Sequence, residues 1–541
     1  MAHAGSQAEV LIVGAGPTGL SAAVALARCG VDVMVVERDA GPTTQSRAVW
    51  VHPRTIELWR DLGIAEQALE RGRRLERIDV HRYARRRGTI RYDGADRTMY
   101  PEGLILEQSV TQRLLLDRLA DLGVATRWGH AVTGVRQDED AASVTVRHVG
   151  DDGPDGGSVV RAHYVLGSDG ASSIVREQLG LSLEGGTYES SFFSADVAMD
   201  VALEPSRAHM SLTLAQTHAL LPLPGERRWR VVGNFTPAQE RRYGRGGGPT
   251  GGASLSRDDV ESLMVSMRIA HAVERVDWAT VYRSHHRMVG RYRVGRVFLA
   301  GDAAHIHSPA GGLGMNTGIG DALNLAWKLA AVVRGHARER LLDTYEAERR
   351  PVAAQVLRTS DRIFRLQAGN GPLIRVLRVV LLPLIPTVLS LTRRGRQLAF
   401  TVLSQIGITY RDAATTMHRG RPGRVRAGDR MPYVRLRDGR TTHGLLQPGR
   451  HTVFIVGGDA RGRADDVRHV VGRMAVPVTV HELPLEPALA AALDMSVPAV
   501  VLVRPDWHIA HLGALHHVGA LAASMDRWYV SDTSAFPADV A

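Results

Sequence analysis

The stretch EVLIVGAGPTGLSAAVALARCGVDVMVVERD, Glu9 to Asp39, decides the fold. Its apolar run Val10 to Val13 reads as a buried strand, the small and apolar residues from Pro17 to Arg28 suit a packed helix, and Val31 to Val36 reads as a second strand. GAGPTG stands between the first strand and the helix. Gly14 allows a tight turn, Gly16 lets the backbone approach a pyrophosphate, and Gly19 lets the helix sit close to the sheet, while Pro17 and Thr18 lie in the same turn at the positive helix end. Glu37, followed by Arg38, closes the second strand 18 residues past Gly19, near the roughly 20-residue spacing of an acid that binds a ribose hydroxyl. A lone GxGxxG is weak evidence. With a strand on each side and the acid in place it points to an adenine dinucleotide, because a ligand-free glycine turn would leave Glu37 an unexplained acid at a strand end.

Two further stretches narrow the ligand. One is GSDG, ending at Asp169 and Gly170; the other is GDAAHIHSPAGGLGMN, Gly301 to Asn316. Arg296 to Ala300 reads as a buried strand, and Asp302 follows at its carboxyl end, where open α/β sheets bind ligands and where an acid can accept hydrogen bonds from a sugar alcohol. Ser308 to Asn316 holds Gly311, Gly312 and Gly314 with almost no bulky side chain, and a helix is predicted from about Thr317 to Val333. Reduced flavin carries negative charge over its pyrimidine edge, which a bare loop and a positive helix end can receive. Together the three stretches describe a flavin site.

At these residues the chain resembles the group A flavoprotein monooxygenases, the family of para-hydroxybenzoate and phenol hydroxylases and of many aromatic polyketide hydroxylases. The resemblance runs over most of the chain. It implies that Gly14, Gly16, Gly19 and Glu37, with Pro17, Thr18 and Arg38 beside them, bind the ADP half of FAD. The family's DGxxSxxR motif stands here as Asp169, Gly170, Ser173 and Arg176, and is associated with both FAD and the nicotinamide cofactor. By the same resemblance Gly301 and Asp302 hold the ribitol chain, Pro309 lies beside the flavin ring, and the backbone of Gly314, Met315 and Asn316 receives the pyrimidine edge. Arg47, in SRAVWVHPRTIELWRDLG, resembles the family arginine near the flavin, and Gln108, in EQSVTQRLLLDRL, its FAD-contacting glutamine. Ser308 stands where a second proline is common and Leu313 where Gln or Lys is common, which leaves the shape and polarity just above the ring open.

The activity implied is that of a single-component hydroxylase. NADPH or NADH serves as transient reductant of FAD, O2 adds to give a flavin C4a-hydroperoxide, and one oxygen passes to a small phenolic or polycyclic aromatic substrate. Such a site must exclude water. No acid or base side chain is singled out as catalytic, and which of the 23 histidines or the tyrosines would deprotonate a phenol is open. Baeyer-Villiger-type insertion and inactivation of an antibiotic would use the same flavin, and a non-catalytic flavoprotein scaffold is the alternative of a different class. Substrate identity, regiochemistry and the choice between NADPH and NADH are not legible. No second GxGxxG occurs, so no separate nicotinamide domain is expected; a CxxxxC redox pair is impossible with one cysteine, and the active-site lysine and WxWxIP segment of flavin-dependent halogenases are missing.

Composition agrees. A chain of 541 residues is expected to form two or three domains. Its net charge of +11 is spread along the sequence and carried almost wholly by arginine, Lys328 being the only lysine, so nucleic-acid binding is not expected. Cys29 alone excludes an intrachain disulfide and suits a reducing, cytoplasmic setting; MAHAGSQAE shows no signal peptide. The most apolar stretch, Leu373 to Leu391, is interrupted by Arg375, Arg378, Pro383 and Pro386, so a packed helical hairpin or a subunit contact, as in a homodimer, is expected in place of a membrane span, with association at a membrane surface as the alternative.

The fold class is α/β. A Rossmann-type FAD-binding domain (residues 1–75, 105–180 and 285–365) is interleaved with a β-sheet substrate-binding domain (76–104 and 181–284). A helical connector (366–404) leads to a C-terminal domain (405–541) that resembles a thioredoxin-like α/β domain without CxxC, introduced by the linker GRPGRVRAGDRMP. GRGGGPTGG, Gly244 to Gly252, reads as a mobile loop, and DDGPDGG, Asp151 to Gly157, as a hairpin connection in place of a calcium loop. The adjacent pairs His285/His286 and His516/His517 would point to opposite faces of a strand, so no metal is expected.

Overall fold

The computed structural model describes residues 6–92, 94–150, 157–244, 255–308, 311–368, 371–419, 423–457 and 463–531. The N-terminal stretch folds as strand Ser6–Val13, helix Pro17–Arg28 and strand Val33–Val36. Pro17 occupies the first helical turn, where its missing N–H costs nothing. Leu11, Ile12, Leu20, Val24, Leu26 and Val35 are fully buried, which ties the apolar periodicity directly to the core. The strands Val297–Leu299, Gly157–Gly167, Ser6–Val13, Val33–Val36 and Thr126–Arg127 lie side by side, all parallel. Their carboxyl ends therefore gather Gly14, Ser168 and Gly301 on one edge. The hairpin expected at residues 151–157 is flanked by the antiparallel strands Ala142–His148 and Gly157–Gly167, while residues 151–156 themselves, like 245–252 of the glycine-rich loop, lie outside the described residues.

A second eight-stranded sheet runs in the order His305–Ile306, His271–Val289, Leu183–Val201, Arg228–Asn234, Thr217–Pro222, Ala208–Leu212, Arg77–Arg82 and Arg85–Arg91. One face packs Phe193, Val197, Trp229 and Val231 against Leu263, Met264 and Met267 of the following helical segment. The strand His271–Val289 runs through position 284, where a domain boundary was expected, and carries the sheet on to His305. The two units thus share a continuous strand.

The C-terminal sheet is ordered Met417–Arg419, Ile509–Ala514, Ala499–Val503, His451–Val456 and Val478–Leu483, and from His451 onward, with helices Arg463–Gly472, Pro487–Leu493 and Val518–Trp528, it has the β-α-β-α-β-β-α order of a thioredoxin-like fold, to which Met417–Arg419 adds an edge strand. The arginine-rich segment that follows the strand Met417–Arg419 is not a free linker. Arg430 is buried, 3.3 Å from Glu57, and donates to the carbonyl of Arg97 at 2.7 Å; residues 420–422 lie outside the described residues. The apolar stretch is broken into helices Pro372–Val380 and Ile385–Ser390 with a 3-10 turn, Leu382–Leu384, between them, and its outward side is not packed as a hairpin would be. His516 and His517 lie on a 3-10 turn, Leu515–His517, not on a strand, so their ring centroids approach to 4.1 Å in place of pointing apart.

Candidate active site

The glycine turn is shaped by what crowds it. Gly14 has φ +104°, and a Cβ there would lie 2.5 Å from the carbonyl oxygen of Ser168. A side chain at Gly16 would meet nothing within 4 Å, so this glycine faces an open cradle at the start of the helix. Ala15 is held from both sides, its N–H donating to Glu37 Oε2 at 2.7 Å and its carbonyl accepting from Gln112 Nε2 at 2.7 Å. Gln112 Oε1 in turn accepts the Thr43 N–H at 2.9 Å. Thr18 is wedged against Gly301 and Gly318, which lets the first helix lie against the long helix Leu313–Val333.

The second motif braces itself. Ser173 Oγ donates to Asp169 Oδ1 at 2.5 Å and caps the helix Ile174–Gln178 by accepting the Arg176 N–H at 3.0 Å. Arg176, buried, donates to the carbonyls of Ala171 at 2.9 Å and Ala303 at 3.2 Å. The guanidinium therefore joins this motif to the Gly301–Ala303 turn. Burial raises the Asp169 carboxyl above the usual carboxylate range, against the pull of the Ser173 hydroxyl. Gly301 sits at φ +60°, and its N–H donates to Asp321 Oδ2 at 3.2 Å. Asp321 is fully buried; burial would raise its carboxyl, but Arg349, 2.7 Å away, and His305, at 2.6 Å, keep it below the usual range. Asp302 is exposed, and its carboxylate makes no hydrogen bond or ion pair among the described residues.

The long helix begins at Leu313, a turn earlier than expected, with Gly312 as its cap at φ +64°. Gly314, Met315 and Asn316 are therefore helical, and the unpaired N–H groups of the helix start are those of residues 312–315. The Asn316 carboxamide explains the early start. Its Oδ1 accepts from the His52 N–H at 2.9 Å and the Thr55 hydroxyl at 2.7 Å, and its Nδ2 donates to the carbonyls of Trp50 at 2.8 Å and Gly312 at 2.7 Å. His52 Nε2 lies 3.0 Å from the Gly311 carbonyl, and burial lowers the imidazole to about 4, so it is neutral at ordinary pH. Gly311 and Gly312 both have positive φ, and a Cβ at Gly312 would lie 2.9 Å from Trp50 Cβ. Pro309 lies outside the described residues.

Facing this loop is the other side of the large sheet. Strand alternation puts Phe192, Ser194 and Asp196 opposite Tyr282, Thr280 and Trp278 on one neighbouring strand and Asn234, Val232 and Arg230 on the other. Phe192 and Tyr282 stack at 6.2 Å between centroids. Arg230 is buried and bidentate to Asp196, at 2.5 and 2.6 Å, lies 5.2 Å over Trp278, and donates to the Arg47 carbonyl at 2.8 Å. Leu221, on the same face, packs with Val49 and Ile105 beside Trp50. This face therefore meets the segment 47–50 that also contacts Gly312. Val232, Trp278, Thr280 and Tyr282 are only half-buried, and the sheet face they form is largely aromatic and apolar around one neutralised ion pair.

An open glycine cradle at one helix start, an unpaired exposed carboxylate at a strand end and free N–H groups at a second helix start match the pyrophosphate, polyol and pyrimidine of FAD in turn. Residues 7–360 match the family described as FAD binding domain, and residues 424–531 that described as aromatic-ring hydroxylase, C-terminal. The chain belongs to this family of FAD-binding aromatic-ring hydroxylases. It is 36% identical over 542 residues to 6-methylpretetramide 4-monooxygenase of Streptomyces rimosus, covering 96% of this chain and 94% of that protein. It is 34% identical to rifampicin monooxygenase of Streptomyces venezuelae, covering 97% and 99%. Aklavinone-11 hydroxylase, solved as a ternary complex with FAD and aklavinone, superposes with a TM-score of 0.73 at 26% identity over 96% of this chain and 98% of its own. The enzyme is an FAD-dependent aromatic monooxygenase.

Several residues singled out in the sequence make protein contacts of their own around the site. Arg176 and the Asn316 side chain are consumed by protein contacts. Gln108 Oε1 accepts the Ala48 N–H at 3.1 Å, and Gln112, one turn further along the same helix, is the glutamine that touches the glycine turn. Arg47 and Arg38 are exposed. The guanidinium of Arg47 makes no hydrogen bond or ion pair among the described residues. Sequence reasoning passed over Gln112, His52, Asp321 and Arg349. A signal for Asp321 was present: an acid, an amide and a lysine, Asp321, Asn324 and Lys328, interrupt an otherwise apolar helix at spacings of three and four. Among the described residues one trio could ligate a metal by position, Asp79, His81 and His209. Its groups are already paired, Asp79 with Thr89 at 2.5 Å and Arg207 at 3.1 Å, and His81 with His209 at 3.1 Å.

Proposed function

We propose that the enzyme couples oxidation of NADPH or NADH to insertion of one atom of O2 into an electron-rich phenolic or polycyclic aromatic ring. The observation that carries this reading is the pairing of the helix start at 312–315 with the aromatic sheet face of Phe192, Val232, Trp278 and Tyr282. Gly14, Gly16, Pro17, Thr18 and Gly19 form the cradle for the pyrophosphate, Glu37 reaches the ribose, Asp302 accepts from the ribitol, and the backbone of 312–315 receives the pyrimidine edge. Bound FAD supplies the reducing equivalents that activate oxygen for transfer. The chain's own residues supply position and dryness. Phe192 and Tyr282 give a planar surface on which a fused ring lies, and the Arg230–Asp196 pair fixes the segment carrying Arg47 by its carbonyl. The Tyr282 phenol, protonated at neutral pH like any tyrosine and raised further by burial, serves as a hydrogen-bond donor. A single half-buried cysteine, Cys29, suits a reducing cytoplasm.

A second reading, oxygenation that inactivates a polycyclic antibiotic, is supported by the rifampicin monooxygenase relative. The test is a panel of phenols, anthracyclinone- or naphthacene-type polycyclics and rifampicin, scored for stimulated NAD(P)H oxidation and for a product heavier by one oxygen. Stimulation with a hydroxylated phenolic product supports the first reading; turnover of rifampicin alone supports the second. A flavin that neither NADPH nor NADH reduces with any of the compounds present overturns both.

A further inference from the structure

The connector carries a surface feature that oxygen transfer does not use. Helices Pro372–Val380 and Ile385–Ser390 form the core of a window, Leu373–Ser390, with a mean hydropathy of 1.9, yet only 22% of that window is buried. A surface helix ordinarily buries its apolar stripe and turns charge outward. Here both sides are apolar. Val379, Pro383 and Pro386, spaced four and three apart, face inward, while Val376, Leu381, Leu384, Ile385, Val388 and Leu391 face out, Val388 being 62% and Leu391 75% exposed. The stripe continues onto Leu398 and Val402 of the adjoining helix Arg393–Ser404. Contiguous apolar surface of this kind marks an interaction site.

Charge selects the partner. Between Asp361 and Asp412 the sequence has no acidic residue; Arg378 is buried, while Arg375 and Arg396 are half-buried and Arg393 and Arg394 exposed beside the apolar stripe. Arg85, Arg86 and Arg87 are exposed on the strand Arg85–Arg91, against which the second helix packs: the Arg87 carbonyl accepts from Thr387 Oγ1 at 3.2 Å, and Pro386 lies against Gly88. A two-fold contact between copies would bring these like charges together, which disfavours self-association. The segment has the length and composition of a span, but Pro383 and Pro386 break it into helices of 9 and 6 residues, each too short to cross a bilayer, so it lies flat instead. We infer that this apolar, arginine-flanked face docks on the surface of an anionic lipid bilayer, with the broken helix seated at the headgroup boundary.

The test is co-sedimentation of the FAD-loaded full chain with phosphatidylglycerol-containing vesicles and with pure phosphatidylcholine vesicles at low salt. The expected result is pelleting with the anionic vesicles only, weakened by added salt. Val388→Asp, at a position outside the core, abolishes it, and Arg394→Ser weakens it about fivefold, while both variants keep normal flavin content and melting temperature. Pelleting that matches the vesicle-free control, or that Val388→Asp leaves unchanged, overturns the inference. So does a vesicle-free dimer, seen by light scattering, that Val388→Asp splits into monomers, because a second copy would then be the occupant.

Discussion

In the function proposed above Asp302 and Gly14 serve the same ligand by opposite means, and substitution separates them. Asp302 is exposed and unpaired, so the folded chain owes it nothing. Asp302→Ala removes one acceptor from a bound polyol and is expected to weaken FAD by roughly 1–3 kcal/mol, about fivefold to a hundredfold in Kd, with no change in the melting temperature of the apoprotein; flavin titration and calorimetry check both halves. Gly14 is a packing residue. In Gly14→Val the new Cβ meets the Ser168 carbonyl at 2.5 Å and the Asp169 Cα at 3.0 Å, at a φ of +104° that valine avoids. That variant is expected as a colourless and destabilised chain, and a yellow Gly14→Val protein would show that the turn does not carry the pyrophosphate. Gly14 was legible because a turn glycine has one local job. The role of Gln112 was not legible, since it and Gln108 lie one turn apart on the same helix and only tertiary contact tells which of them reaches Ala15.

Elements were legible where local chemistry sets their ends. The helix Pro17–Arg28 has proline in its first turn and Gly30 at φ +73° just past its end, and its expected and observed bounds coincide. The helix Leu313–Val333 starts earlier than expected because glycine and asparagine are weak helix formers. What overrides their propensity is a set of bonds from Asn316 to Trp50, His52 and Thr55, more than 260 positions away in sequence. Asn316→Ala is therefore expected to act on the element. It leaves the carbonyls of Trp50 and Gly312 and the His52 N–H without their partner, at a cost of about 3 kcal/mol. Unlike Asp302→Ala, it should lower the melting temperature of the apoprotein as well as FAD affinity. His52 adds a pH dependence to the same junction. Its imidazole titrates near 4 when folded and 6.5 when free, so its contribution is whole above pH 6.5 and lost as pH falls towards 4. Flavin release on mild acidification, followed by fluorescence, should track that window and flatten in His52→Asn.

At the scale of the whole molecule, a buried network binds the flavin helix to the C-terminal domain. Glu348, on the helix Thr344–Ala368, accepts from Arg504 Nη1 at 2.7 Å and Nη2 at 2.9 Å, from Lys328 Nζ at 2.9 Å and from Asn324 at 2.7 Å. Arg504 is also paired with Asp506, whose carbonyl accepts from Arg54 Nη2 at 2.6 Å, two residues beyond His52. This explains the lone lysine better than composition does, and it makes the C-terminal domain a structural part of the flavin site. None of it was legible: Lys328, Glu348 and Arg504 fall in three separate segments, and nothing local joins them. Burial would raise the Glu348 carboxyl, but Arg504 and Lys328 hold it at about 2, against 4.5 when unfolded. The stabilisation is complete above pH 4.5 and is lost as pH falls towards 2, an acid-dependent part of roughly 3 kcal/mol. Glu348→Gln keeps the shape, strands buried Lys328 without a carboxylate and leaves Arg504 with Asp506 alone, so it should cost about 3–5 kcal/mol at neutral pH and remove that part of the acid dependence. Chemical denaturation of both proteins from pH 7 to pH 3 measures the two effects together. A variant as stable as the parent at neutral pH, or one that loses stability on acidification as steeply, would mean that the domains are held together elsewhere.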